Sequence, residues 1–250
     1  DGRKDKKRRK ISKRIEMEEQ FSRMKILLGD DTVRRISERR VAVFGVGGVG
    51  SFCAEALARL GIGNITLVDP DKVAESNLNR QLVALHSTVG MYKADVMKQR
   101  ILDINPCANV ETLKMFYLPE NSDEFDVSGY DCIIDAIDTV SAKIELIKRA
   151  YFAGVGIVSS MGTGNKLSPE LLKTADIYDT KVCPLARVMR KELRAAGVRK
   201  LTVVYSEEEP KSEKKIFDEK SGKAVVGSIS FVPPTAGLLL ASEVFKIISK

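Results

Sequence analysis

The 250-residue chain is 44% apolar, enough to enclose the core of one large α/β domain or two small ones. Its longest apolar runs fall far short of the ~20 residues of a membrane span, and the N-terminus is charged rather than signal-like, so a soluble cytoplasmic protein with no membrane segment is expected. The net charge of +7 is local: residues 1–14 hold nine Lys or Arg and two Asp, and the other 32 basic and 32 acidic residues cancel. Residues 1–20 therefore read as a basic arm, either a solvated tail or a contact for RNA or another polyanion, ahead of a neutral domain. Cys53, Cys107, Cys132 and Cys183 form no C-x-x-C pair, which argues against both a zinc site and a disulfide framework.

In chain order, Ile26, Leu27, Val33 and Ile36 recur at helical spacing around a break at Gly29 and Asp30, giving two short helices. A strand at 41–45, a helix at 48–60 and a strand at 64–69 follow, then an irregular polar stretch at 70–88. A helix is expected over 89–104, where Val89, Val96, Ile101 and Ile104 share a face. A strand at 109–115, one in "DCIIDAID" ending near 137, a helix at 140–153 and a strand at 156–160 complete an alternation that implies right-handed crossovers. The fold class is α/β: a doubly wound, Rossmann-like, mainly parallel sheet with helices on both faces.

Residues 21–160 form the expected nucleotide-binding core. Residues 161–250 form a C-terminal α+β extension packed on it: a loop-rich stretch to 180, a helix near 184–197, a strand "KLTVVYS", a charged loop 206–224 that reads as mobile, a strand in "GSISF", and a closing helix opened by two prolines.

The chemistry begins at "VAVFGVGGVGS". A strand feeding Gly45, Gly47, Gly48 and Gly50 and then a helix lets the backbone approach a phosphate closely, and the helix start offers free amides. Asp69, 19 residues after Gly50 at the tip of the second strand, suits a ribose diol. These features serve a dehydrogenase and an ATP user equally. The next stretch separates them, because "SNLNRQ" sets Asn77, Asn79, Arg80 and Gln81 just beyond Asp69, and Lys93 heads the following helix. Arg80 and Lys93 supply cations that a triphosphate needs and a nicotinamide does not. Asp138, in "DAIDT", has two open roles: a carboxylate for Mg²⁺ or a cap for the helix at 140–153. His86, the lone histidine, reads as structural or as an edge of the substrate site.

The array "GVGGVGS", "LVDPD", "SNLNRQ", "TVGMYK" and "DAIDT", in this order and spacing, resembles the adenylating enzymes related to ubiquitin activation, which include the sulfur-carrier adenylyltransferases of molybdopterin and thiamine synthesis. Within that superfamily, "FSRMKILLG", "SSMGTGNKLSP", "KVCPLARVMRKELR", "VVYSEEEP" and "GSISFVPPTAG" are similar to the tRNA threonylcarbamoyladenosine dehydratases from about residue 21 onward. The resemblance implies the glycine loop and Asp69 for adenosine and its ribose, Asn77, Arg80, Gln81 and Lys93 around the phosphates, and Asp138 for Mg²⁺. It implies a homodimer in which Arg23 reaches the partner's phosphates.

The implied activity is ATP-dependent cyclisation, with loss of water, of threonylcarbamoyladenosine in tRNA through an acyl-adenylate. The alternative is activation of the C-terminus of a small ubiquitin-like or sulfur-carrier protein, which would then be a protein partner. The paired C-x-x-C motifs of the sulfur-carrier branches are absent, and Cys183 is the one cysteine placed for a covalent role, with Lys181 and Arg187 near it but no adjacent base. For tRNA, Arg187, Arg190, Lys191 and Arg194 fall at spacings of three and four, with Arg199 and Lys200 beyond; the stripe is either a phosphate track or a solvated face.

Overall fold

A computed structural model describes residues 19–211, 216–217 and 224–250; the basic arm to residue 18 and most of the charged loop after 211 lie outside it. Seven strands, β1 (Arg40–Phe44), β2 (Asn64–Val68), β3 (Asn109–Leu113), β4 (Cys132–Asp135), β5 (Gly156–Ser160), β6 (Leu172–Asp176) and β7 (Thr202–Ser206), join in one sheet of order β3-β2-β1-β4-β5-β7-β6. All neighbours are parallel except β6, which runs against β7.

The strand sequences explain the two layers, since alternate side chains point to opposite faces. Val41, Val43, Cys132 and Ile134 enter one core, with α3 (Gly50–Arg59), α4 (Lys93–Ile104) and α7 (Val232–Ile248) over it. Ala42, Phe44 and Ile133 enter the other, under α5 (Val140–Phe152). A third cluster lies beneath α6 (Pro184–Ala195) and includes Met189, Leu193 and Val203. Two short helices, α1 (Ser22–Leu28) and α2 (Asp30–Glu38), meet at Gly29, whose φ of 79° breaks the helix. α7 begins on Pro233 and Pro234, where the missing amide hydrogens cost nothing. No helix among the described residues is long and apolar enough to cross a membrane.

Four expectations are corrected. The helix expected from residue 89 starts at Lys93, because Gly90 takes a left-handed φ of 86° and its amide donates to the Val73 carbonyl; Val89 is left exposed. The strand expected to reach 137 ends at Asp135, whose carboxylate turns back to accept from the Ile137 amide at 3.2 Å. The stretch read as loop after 161 contains strand β6. The strand expected in "GSISF" does not form; Gly227 instead exchanges hydrogen bonds with Asn165, 2.8 Å to its backbone amide and 2.7 Å to its side-chain oxygen.

Phe44 fixes the lower core by edge-on contacts with Tyr117 and Phe125, ring centroids 5.1 and 4.8 Å away. Phe44→Ala is expected to lower unfolding stability by about 3–5 kcal/mol in urea denaturation; an unchanged midpoint would contradict this packing.

Candidate active site

The chain builds β1, β2 and β3 outward and then returns to lay β4 on the other side of β1. The carboxyl ends of β1 and β4 thus form a switch point, the place where open parallel sheets take their ligands. A cavity of ≈ 450 Å³ lies there.

The four glycines of the loop have two different jobs. A Cβ on Gly45, whose φ is 86°, would sit 2.5 Å from the Ala136 carbonyl oxygen, and one on Gly50 would sit 1.8 Å from the Gly45 oxygen. Both are demanded by backbone packing. Gly47 and Gly48 line the cavity, and the nearest atoms to a Cβ on Gly47 are those of the Gln81 amide, 3.7 Å off. The bareness of Gly47 leaves space for a ligand to reach the backbone, whereas a Cβ on Gly48 would also press on Pro233, 3.2 Å away.

Asp69 follows β2 and is 4% exposed. One carboxylate oxygen accepts from the Val46 amide at 2.6 Å and the other from the Asp71 amide at 2.9 Å, so the acid is locked against the glycine loop. Burial raises its pKa, and the Lys93 charge and those two amides oppose the rise. Lys93 is itself buried, with Nζ 2.7 Å from the Asp71 carboxylate. The Arg80 guanidinium donates to the Ser76 carbonyl and to Asn79 Oδ1, both at 2.9 Å, and its stem lies against Gly48. Gln81 is buried in the cavity wall with no hydrogen-bond partner for its Oε1, an acceptor placed for a ligand hydroxyl or amine.

Asp138 stands across the cavity, exposed, and among the described residues accepts only from the Thr139 hydroxyl, at 3.4 Å. It does not cap α5: Thr139 holds the N-cap position, without a side-chain cap. Beneath the floor, Lys143 and Asp135 form a wholly buried ion pair at 2.9 Å.

The remaining walls are apolar or bare. Met115, Phe116 and Leu118 close the side nearest Asp69, and Gly162, Thr163 and Gly164 close the other with Leu185 and Val226. At Gly164 a Cβ would lie 2.1 Å from Val226 Cγ1, so a glycine is what lets these two segments cross.

Gly45, Gly47, Gly48, Asp69, Arg80, Gln81, Lys93 and Asp138 therefore converge on one cavity, with Gly50 packed behind them. Asn77 does not line it; its side chain accepts from the Ala74 amide at 3.1 Å and shapes the turn that presents Arg80. His86 and Arg23 are exposed and away from its lining. Cys183 is buried at the N-cap of α6. On α6, Arg190 is engaged by the Thr180 carbonyl at 2.9 Å and by its hydroxyl, and the Arg194 guanidinium lies 5.1 Å from the Tyr178 ring centroid; Arg187 and Lys191 are exposed.

The sequence model of the ThiF family matches residues 20–250. The chain belongs to the ThiF family. Among its ThiF-family relatives, a Bacillus subtilis protein named tRNA threonylcarbamoyladenosine dehydratase is 44% identical over 90% of this chain and 92% of its own length. The Escherichia coli protein of that name is 40% identical over 68% of this chain and 63% of its own. A crystal structure of E. coli tRNA N6-threonylcarbamoyladenosine dehydratase in complex with ATP superposes with a TM-score of 0.82 at 33% identity, covering 92% of this chain and 94% of that one.

Three parts of this ThiF-family site escape a reading of the sequence. The wall at Met115–Leu118 is signalled only by an apolar run beyond β3. The Gly164 crossing needs the Val226 contact to be recognised. Lys143 shares its helix face with Leu146 and Ile147, and a lysine on an apolar stripe was the available signal.

The glycines give a discriminating pair of variants. Gly50→Ala is expected to lower the melting temperature by ten degrees or more and to yield little folded protein, whereas Gly47→Ala should melt within about three degrees of wild type yet weaken ATP binding at least ten-fold by calorimetry. Equal effects on both properties would refute the division.

Proposed function

We propose that this chain activates a carboxylate with ATP, and that the carboxylate is the threonyl group of threonylcarbamoyladenosine in tRNA, which is then cyclised with net loss of water. The observation that carries the reading is the placing of Arg80 and Lys93 in one cavity with Gly47 and Gly48, with Asp138, an exposed carboxylate held by one long hydrogen bond from Thr139, across it. Two cations and bare backbone suit a polyphosphate. The buried Gln81 acceptor and Asp69 suit the nucleoside, and the apolar wall at Met115–Leu118 suits a base.

In this reading the carboxylate oxygen attacks the α-phosphorus, the bond to the β-phosphate oxygen breaks, and pyrophosphate leaves against Arg80 and Lys93. The acyl-adenylate is a mixed anhydride. A nucleophile within the modified nucleoside then displaces AMP and closes the ring, so proximity supplies the second step and no enzyme thiol is needed. The burial of Cys183 is in keeping with that. Asp138 would hold Mg²⁺, whose charge eases departure of pyrophosphate. No cluster of three or more metal-binding side chains exists among the described residues, which suits a cation held chiefly by phosphate oxygens. The proposed division of labour follows the sequence: 21–160 grips the nucleotide, and 161–250 adds the wall at Gly162–Gly164 that the acyl group would face.

A homodimer is part of the proposal. Ile26 and Leu27, on the helix that carries Arg23, are 87% and 82% exposed, an apolar pair that a partner subunit would cover while Arg23 reaches its phosphates. The cytoplasm is the proposed setting.

For tRNA, α6 is the proposed contact. Three other helices pair exposed cations with their own carboxylates, as in Arg59 with Glu55, Lys148 with Glu145 and Lys246 with Glu243, while Arg23 and Arg35, on the two short N-terminal helices, have no such partner among the described residues. Arg187, Lys191, Arg194, Arg199 and Lys200 have no carboxylate within salt-bridge distance among the described residues, and α6 starts at the cavity through Leu185. Because Arg190 and Arg194 also brace the fold, the informative variant is Arg187→Glu with Lys191→Glu.

With ATP, Mg²⁺ and tRNA bearing the modified nucleoside, the protein should release pyrophosphate and the nucleoside should lose the mass of one water. Release that requires a small carrier protein in place of tRNA would favour the carrier-activating reading. The α6 double variant should bind tRNA at least ten-fold more weakly at low salt and flatten the plot of log affinity against log salt by about 2 in slope; unchanged binding would remove α6 from the interface.

A further inference from the structure

Lys143 is wholly buried and takes no part in the reaction as drawn, yet it sits where two walls of the cavity begin. Its ammonium has three neighbours: the Asp135 carboxylate at 2.9 Å, the Ile137 carbonyl at 3.2 Å and the Ser160 carbonyl at 2.9 Å. Asp135 is satisfied on its other sides by the Ser159 hydroxyl at 2.6 Å and the Ile137 amide at 3.2 Å. All three donor positions of the ammonium are filled.

The two carbonyls belong to different walls. Ile137 ends the turn that carries Asp138, and Ser160 ends β5, from which Met161 to Gly164 lead along the opposite wall. β4 and β5 are paired only as far as Asp135 and Ser159. Beyond that point, Lys143 is the group that joins the two strand ends. A buried ion pair is a poor means of stabilisation, since desolvating both charges cancels much of their attraction. Its retention calls for a geometric reason.

We propose that Lys143 is a positioning residue that fixes the Asp138 turn and the Gly162–Gly164 wall at one spacing, and so sets the distance between the nucleotide and the acyl group it activates. The kinetic part of this rests on the adenylation reading. The spacing part does not.

Lys143→Met alone would strand the Asp135 charge in the core, and loss of fold would be uninformative. The test therefore uses Lys143→Met combined with Asp135→Asn, which removes both charges and keeps both volumes, beside Asp135→Asn alone. In the full-length double variant, amide hydrogen exchange at residues 136–139 and 161–164 should accelerate together by ten-fold or more, while residues 46–49 keep wild-type protection. With ATP, Mg²⁺ and modified tRNA, kcat for pyrophosphate release should fall about a hundred-fold and the Kd for ATP should stay within three-fold. A double variant with a wild-type melting temperature and unchanged exchange at both segments overturns the proposal, as does faster exchange at all three segments alike, which would mark a merely structural role. Wild-type protein that releases no pyrophosphate refutes the adenylation reading instead, and the exchange result still decides the role of Lys143.

Discussion

The whole site depends on a crossing of backbones at the end of β1. The chain leaves the strand at Gly45, passes against the Ala136 carbonyl, and begins α3 at Gly50 directly over the Gly45 oxygen. No side chain fits at either contact, so two hydrogen atoms set how close strand, loop and helix can come. That closeness sets Gly47 and Gly48 in the wall of the cavity at the switch point. It also brings Val46 within hydrogen-bond reach of Asp69, so the residue suited to a ribose is oriented by the same loop that lines the cavity.

Charge in the cavity is arranged before any ligand arrives. Lys93 rests on Asp71, and Arg80 rests on a carbonyl and an amide oxygen of its own turn. In the proposed reading, an incoming polyphosphate would exchange one set of partners for another, with both cations already held at the cavity. Asp71 is half exposed, so water would take over its charge once Lys93 engaged a phosphate. The cost of burying charge is concentrated lower down, where Lys143 and Asp135 lie out of reach of both ligand and solvent.

Much of this can be read from the chain, and the reasons are local. The continuous apolar runs in "VAVF" and "CII" mark strands buried on both faces, the glycine spacing marks the turn, and Asp69 and Arg80 fall at fixed offsets from it. What cannot be read depends on partners distant in sequence. Asn77 is expected near the phosphates from its place in "SNLNRQ" and the family resemblance, and only the fold shows its side chain closing its own turn. Arg190 looks like part of a free stripe, yet Thr180 holds it. Strand β6 is a weak local pattern, "LKTAD", whose register is supplied by β7. Lys143 stands out in sequence only as a lysine on an apolar helix stripe, and its partners Asp135, Ile137 and Ser160 are supplied by the fold.

The last helix adds a consequence for how the protein is made. A Cβ on Gly237 of α7 would lie 2.3 Å from the Val49 carbonyl oxygen, and Pro233 lines the cavity beside Gly48. The glycine loop is thus walled by a helix translated long after it. A nascent chain that has not yet extruded α7 lacks this wall of the cavity, so a ligand bound there stabilises the completed domain more than its precursors.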